Sequence, residues 1–223
     1  MSAGGVFLGI ETATRRASVA LVGEALVSSA WLDPSGGHAG DLLDAIARLL
    51  DAAATPRDRL RGVGVAIGPG SFTGVRVGMA TAMGLAYALD VGVTGVSTLE
   101  AMGRSAPRAP REGDAPIAAV LDAGRGEVYA ALFDASGARL WPDRAWRPEA
   151  LLAELPGDAR LCGDGAFRVN AGRTDPLPIV DLPPVATVLA RAASASGGSG
   201  YRSGGLRPNY IRPFDAEAPR RVS

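Results

Sequence analysis

Gly62-Val63-Gly64-Val65-Ala66-Ile67-Gly68-Pro69-Gly70-Ser71-Phe72-Thr73-Gly74-Val75-Arg76-Val77-Gly78 decides the fold class. Residues 62 to 67 form a continuous apolar run, the pattern of a strand buried on both faces. The Gly-Pro-Gly break ends that strand, and Ser71 or Thr73 can cap a helix running from about Thr73 to Leu89. Strand, tight loop and helix in succession are the unit of an α/β protein. Within the helix, Gly74, Gly78, Ala82 and Ala86 recur at every fourth position and fall on one stripe. Small residues in a stripe let another backbone approach closely. Val75, Val77, Met79, Met83, Leu85 and Leu89 make the remainder largely apolar, so the helix is central to a core or covered by a partner. The expected role is docking, with Gly74, Val75, Gly78, Met79, Ala82 and Ala86 as contacts.

The loop admits a second role. Its glycines allow positive φ, and amides at a helix start attract anions, which marks Gly70, Ser71 and Thr73 as candidate anion or nucleotide contacts. The spacing fits neither G-x-x-x-x-G-K-[ST] nor G-x-G-x-x-G, so a turn that packs strand on helix is the simpler account.

Upstream, Val6 to Ile10, Ala17 to Val22 and Leu26 to Leu32 read as three strands, the last two joined by a tight turn at Gly23-Glu24. An amphipathic helix follows over 39 to 54, with Leu42, Leu43, Ile46, Leu49, Leu50 and Ala53 on its apolar face. Pro56 breaks it. Downstream, Val93 to Val96 is a strand, and Ser97 with Glu100 forms a capping box for the next helix. Three strands, helix, strand, helix, strand is the order of a ribonuclease-H-like unit, assigned to residues 1–103. The linker Pro107-Arg108-Ala109-Pro110-Arg111 marks a boundary.

Beyond it, 116 to 122, 127 to 134 and 138 to 141 again read as three strands. A helix over 149 to 155, a strand over 160 to 163 and a helix over 185 to 195 complete the pattern. The repeat predicts two related lobes, the second (104–223) abbreviated. Residues 196 to 205 read as a flexible Gly/Ser connector and 207 to 213 as an extended tail.

Composition narrows the chemistry. The 23 basic and 23 acidic residues cancel, so there is no basic face of the kind that holds RNA unaided. Every basic residue is arginine, which removes Schiff-base, pyridoxal-phosphate and Walker-type lysines. One cysteine, Cys162, reads as a small buried apolar residue and excludes a disulfide framework; one histidine, His38, excludes a paired-histidine site and reads as a loop or capping residue. No signal-like or membrane-length apolar run is present, and a cytoplasmic location is expected.

Two acids stand at strand ends, Glu11 before Thr12 and Thr14, and Asp122 before Gly124-Arg125-Gly126-Glu127. Two carboxylates facing one cleft can hold a magnesium nucleotide, while either alone reads as a turn or cap acid. Glu11 is one methylene longer than the aspartate usual in such sites.

Together these blocks resemble the TsaB (YeaZ) family. The resemblance rests on Leu8-Gly9-Ile10-Glu11-Thr12-Ala13-Thr14, on Gly68 to Gly78, and on Gly95-Val96-Ser97-Thr98-Leu99. Asp122-Ala123-Gly124-Arg125-Gly126-Glu127-Val128-Tyr129 and the tail Pro208-Asn209-Tyr210-Ile211-Arg212 also match, with Glu11 standing where the family has aspartate. The resemblance implies an actin/Hsp70-like (ASKHA) fold of two ribonuclease-H-like lobes. It implies a non-catalytic scaffold in the machinery that makes threonylcarbamoyladenosine at position 37 of tRNA, dimerising with the transferase TsaD and joined by the ATPase TsaE. It also implies that the first two helices, 39 to 54 and 73 to 89, build the interface, adding Leu42, Leu43, Ile46, Leu49 and Leu50 to its contacts. No tightly bound cofactor is expected, with ATP and magnesium at the subunit junction. tRNA is met only through the complex, and the chain can self-associate when alone. The rival expectation is an ASKHA phosphotransferase or ATPase using Glu11 and Asp122. A glycoprotease, the older description of relatives, has little support from a single histidine.

Overall fold

The structure is a computed structural model describing residues 5–33, 40–108, 115–201 and 205–211. Two five-stranded sheets share one topology. The first contains β1 (Val6–Glu11), β2 (Ser18–Val22), β3 (Val27–Trp31), β4 (Leu60–Ala66) and β5 (Gly92–Val96), in the order β3-β2-β1-β4-β5. β1, β2 and β3 form an antiparallel meander, and β4 and β5 continue parallel to β1. The second contains β6 (Ile117–Gly124), β7 (Glu127–Phe133), β8 (Arg144–Trp146), β9 (Arg160–Cys162) and β10 (Ile179–Val180), in the order β10-β9-β6-β7-β8 with the same pairing senses. The expected internal repeat is therefore complete in topology, and the second lobe is abbreviated in strand length.

Helices fall at matching places: α1 (Gly40–Ala52), α2 (Phe72–Leu89) and α3 (Thr98–Ser105) in the first half, α4 (Pro148–Glu154), α5 (Ala166–Val169) and α6 (Ala186–Ala195) in the second. The last helix of each half crosses to the other half's sheet. α3 packs on β6 and β7, whereas α6 lies across β1, β2 and β4. Two glycines make this contact close: a Cβ on Gly9 would sit 1.9 Å from the Ala186 carbonyl oxygen, and one on Gly64 1.9 Å from that of Leu189. Ser18 on β2 accepts a hydrogen bond from Ala186 N at 3.2 Å, satisfying a free amide at the α6 start. The division at residue 103 is corrected accordingly: it follows the chain, but α6 covers the first sheet and α3 the second.

Three further expectations change. The third strand of the second lobe is Arg144–Trp146, not 138 to 141. Asp134 Oδ1 accepts from the amides of Ser136 and Ala138 at 2.8 and 2.9 Å, closing the turn between the two expected strands, and beyond it the backbone of Arg139 forms an isolated bridge to Phe133 in place of a strand. In the Gly/Ser segment, Gly198 to Tyr201 pairs along the free edge of β5 where a flexible connector was expected, and residues 202–204 lie outside the described residues. In the linker, Arg108 donates to the carbonyls of Gly103 and Ala106 at 2.9 and 3.1 Å, closing the C-terminal end of α3. The rest of that linker, His38, and residues 212 and 213 of the tail lie outside the described residues.

Candidate functional site

The β1–β2 turn, the loop before α2 and the β6 end meet at a cleft between the lobes. Its cavity of about 260 Å³ is lined by Ala13, Thr14, Arg15, Gly70, Ser71, Asp122 and Asp164. Of the expected nucleotide or anion contacts, Gly70, Ser71 and Asp122 thus come together, while Glu11 and Thr73 do not line it.

Glu11 is fully buried. Its Oε1 accepts from the amides of Ala13 and Thr14 at 2.7 and 2.9 Å, and its Oε2 from Thr14 Oγ1 at 2.8 Å. Burial pushes its pKa up to about 7 despite these three donors. The extra methylene folds the carboxylate back onto its own turn, so Glu11 is corrected from a cleft ligand to the closure of residues 12 to 14. Asp122 is also committed: Oδ1 accepts from Gly124 N at 2.8 Å and Oδ2 pairs with Arg168 at 2.9 Å. Burial raises its pKa, but those donors outweigh it and hold the carboxyl below its usual range.

Asp164, which sequence reasoning missed, accepts from Asp122 N at 3.0 Å and pairs with Arg15 Nε at 3.5 Å. Magnesium at this cleft would have to displace arginine from both aspartates, and no cluster of three metal-ligating side chains exists among the described residues. Ser71 is spent as well, donating its amide to the Ala13 carbonyl at 2.7 Å and capping Gly74 N with its hydroxyl at 3.2 Å. Gly70 has φ +151°, and a Cβ there would meet the Ala13 carbonyl at 2.3 Å. The loop and the β1–β2 turn are built onto each other, leaving a packing role in place of a phosphate cradle.

The docking face needs the larger correction. Leu42, Ile46, Leu49, Leu50, Gly74, Val75, Gly78, Met79, Ala82 and Ala86 are all buried within their own chain, and of the expected contacts only Leu43 is exposed, at 50%. On α2 the small stripe receives Thr12: a Cβ on Gly74 would lie 1.9 Å from the Thr12 carbonyl oxygen, and Thr12 Oγ1 donates to the Gly74 carbonyl at 2.7 Å.

The opposite face of α2 is open. Arg76, Ala80, Gly84 and Ala88, flanked by Met83 and Tyr87, are exposed, Tyr87 by 86%. This stripe is displaced from the buried one by two residues, about 200° around a helix. The sequence therefore held two four-residue repeats of small side chains on one helix, and only the partner surface inside the chain tells them apart.

Sequence reasoning also left the tail without a role. Asn209 donates its amide to the Ile67 carbonyl at 2.7 Å and its Nδ2 to Asp143 Oδ2 at 2.7 Å. Tyr210 stacks on Phe72 with centroids 5.5 Å apart, and its hydroxyl accepts from Arg76 Nε at 3.1 Å. The tail therefore ties the β4 end and the first turn of α2 to the second lobe.

Against this geometry, the family model described as "TsaD: tRNA N6-adenosine threonylcarbamoyltransferase" matches residues 34–176. The "tRNA threonylcarbamoyladenosine biosynthesis protein TsaB" of Escherichia coli K12 is 34% identical over 165 residues, 71% of each chain. The protein of the same description from Bacillus subtilis 168 is 35% identical over 128 residues, 56% of this chain and 54% of its own length. Among solved structures, YeaZ from Pseudomonas aeruginosa superposes with a TM-score of 0.71 at 31% identity, covering 86% of this chain and 93% of the other. A protein from the same organism with similarity to peptidase YEAZ gives a TM-score of 0.78 at 28% identity, covering 93% and 100%.

Proposed function

Because the chain belongs to the TsaB (YeaZ) family, we propose that it is the non-catalytic scaffold subunit of the assembly that forms threonylcarbamoyladenosine on tRNA, docking on a TsaD-type transferase and activating it. The observation that carries this reading is the outer face of α2, where Tyr87 and Met83 stand exposed beside Ala80, Gly84 and Ala88. Exposed aromatic and methionine side chains next to small residues suit the close approach of another helix. On α1, Leu43 is exposed as well.

The cleft offers chemistry little purchase, since its aspartates are held by Arg15 and Arg168 and Glu11 is turned inward. In this reading ATP and magnesium bind at the junction with the partner, TsaE contacts the assembled pair, and tRNA is met by the complex as a whole. Self-association through the same face is expected when the partner is missing. Among the described residues no helix is long and apolar enough to cross a membrane.

Co-expression with the cognate TsaD tests the reading. Gly84→Arg and Tyr87→Glu, both at solvent-facing positions, are expected to abolish co-purification without lowering thermal stability. Retention of the complex by both variants would sink the proposed interface.

A further inference from the structure

Arg76 lies at the upper end of the exposed stripe, one turn before Ala80, with its side chain in solvent. Its guanidinium carbon sits 3.7 Å from the centre of the Phe72 ring, and its Nε donates to Tyr210 Oη at 3.1 Å. The Phe72 ring is in turn backed by Tyr210, and the tail that carries Tyr210 is fixed by Asn209 to Ile67 and Asp143. An exposed arginine ordinarily samples many rotamers; this one is clamped between a ring and a hydroxyl. The clamp uses only Nε, and the two terminal nitrogens take no partner among the described residues. A planar fork held in place, with both ends unused among the described residues, matches a carboxylate, which it can bind with two parallel charge-assisted hydrogen bonds.

We infer that Arg76, oriented by Phe72 and the tail residue Tyr210, is a preorganised receptor for a carboxylate presented by the helix that docks along Ala80, Gly84 and Ala88. This rests on the docking reading above and adds to it the chemistry at one end of the interface. A protein carboxylate is favoured over an RNA phosphate because the arginine continues into an apolar, small-residue stripe and not into further basic residues. From Val77 to Leu89 the helix carries no basic side chain, and Met83 and Tyr87 are its large exposed groups. Clamping removes rotamer entropy before binding, so the tail contributes to affinity without touching the partner itself.

The test uses the full chain and the cognate TsaD, measuring affinity at low and high salt beside thermal stability. Arg76→Gln is expected to weaken binding about tenfold or more and to flatten its salt dependence; Arg76→Lys, which keeps charge but loses the fork, should recover little. Tyr210→Phe keeps the stack but removes the hydroxyl, and is expected to lose about threefold with an unchanged melting temperature. Unchanged affinity and salt dependence in Arg76→Gln overturns the inference. So does weakening of tRNA binding with TsaD affinity intact, or an effect confined to self-association of this chain. Gly84→Arg separates the two readings. If it abolishes the complex while Arg76→Gln does not, only the carboxylate receptor fails; if Gly84→Arg and Tyr87→Glu both leave the complex intact, the docking face and the receptor fail together.

Discussion

Gly78 of α2 and Thr12 of the β1–β2 turn lie so close that a Cβ on the glycine would stand 2.3 Å from the threonine hydroxyl oxygen. That hydroxyl already donates to the Gly74 carbonyl, one turn earlier on the same helix. Gly78→Leu should therefore unfold the chain before it tests any interface. Gly78→Ala is expected to cost about 1–3 kcal/mol, seen as a lower denaturation midpoint with the m-value unchanged. A neutral result would mean that α2 does not rest on Thr12.

Gly9 and Gly64 carry the α6 backbone directly. Unlike a flexible side chain, the Ala186 and Leu189 carbonyls cannot move aside without lifting the helix. Gly9→Ala or Gly64→Ala is expected to cost about 3 kcal/mol or more, a fall in melting temperature of about 6–12 °C for a chain of this size. Amide exchange should quicken in α6 as well as in β1 and β4. A helix that stays protected would contradict the packing.

Glu11 makes stability depend on pH in an unusual direction. Its folded pKa of about 7 lies above the ordinary 4.5, so between those values the folded chain keeps a proton that the unfolded chain has released. The contribution is fully present below pH 4.5 and is lost as pH rises through 7, with a span on the order of 3 kcal/mol. Glu11→Gln keeps an acceptor for the Ala13 and Thr14 amides and can donate to Thr14 Oγ1. Chemical denaturation at pH 5 and pH 8 should show a smaller pH difference in the variant than in the parent. Equal slopes would remove Glu11 from the account.

Asp143 gathers three segments. It accepts from Ser97 Oγ at 2.6 Å, from Asn209 Nδ2 at 2.7 Å and from Arg139. Asp143→Ala removes the acceptor these three donors share, leaving Arg139 to Glu100 alone, at a cost of about 1–3 kcal/mol. Faster amide exchange is expected at Asn209 and in the first turn of α2, with little change in α4. Uniform exchange throughout would argue against the tail as a tie.

The sequence made the repeated topology legible because hydrophobic period and turn residues are local signals. Ala17 to Val22 and Glu127 to Asp134 declare their strands unaided. Which face of a helix meets its own sheet is not local. Gly74–Gly78–Ala82–Ala86 and Ala80–Gly84–Ala88 carry the same signal, and only Thr12, more than 60 residues from either, decides between them. The cleft was half legible for a similar reason. Asp122 stands out at a strand end, but its arginine partner comes from α5, a four-residue helix with no periodicity to announce it. Glu11 misled because its extra methylene reads as a small change, yet it turns the carboxylate from the cleft to its own backbone.

The exchange of α3 and α6 between the sheets bears on how the chain comes off the ribosome. Residues 6 to 96 supply every strand of the first sheet early in synthesis. Gly9 and Gly64 then present bare backbone until Ala186–Ala195 is translated to cover them. The half made first is thus finished last, and a nascent chain halted anywhere before α6 holds an open sheet that only completion of translation can close.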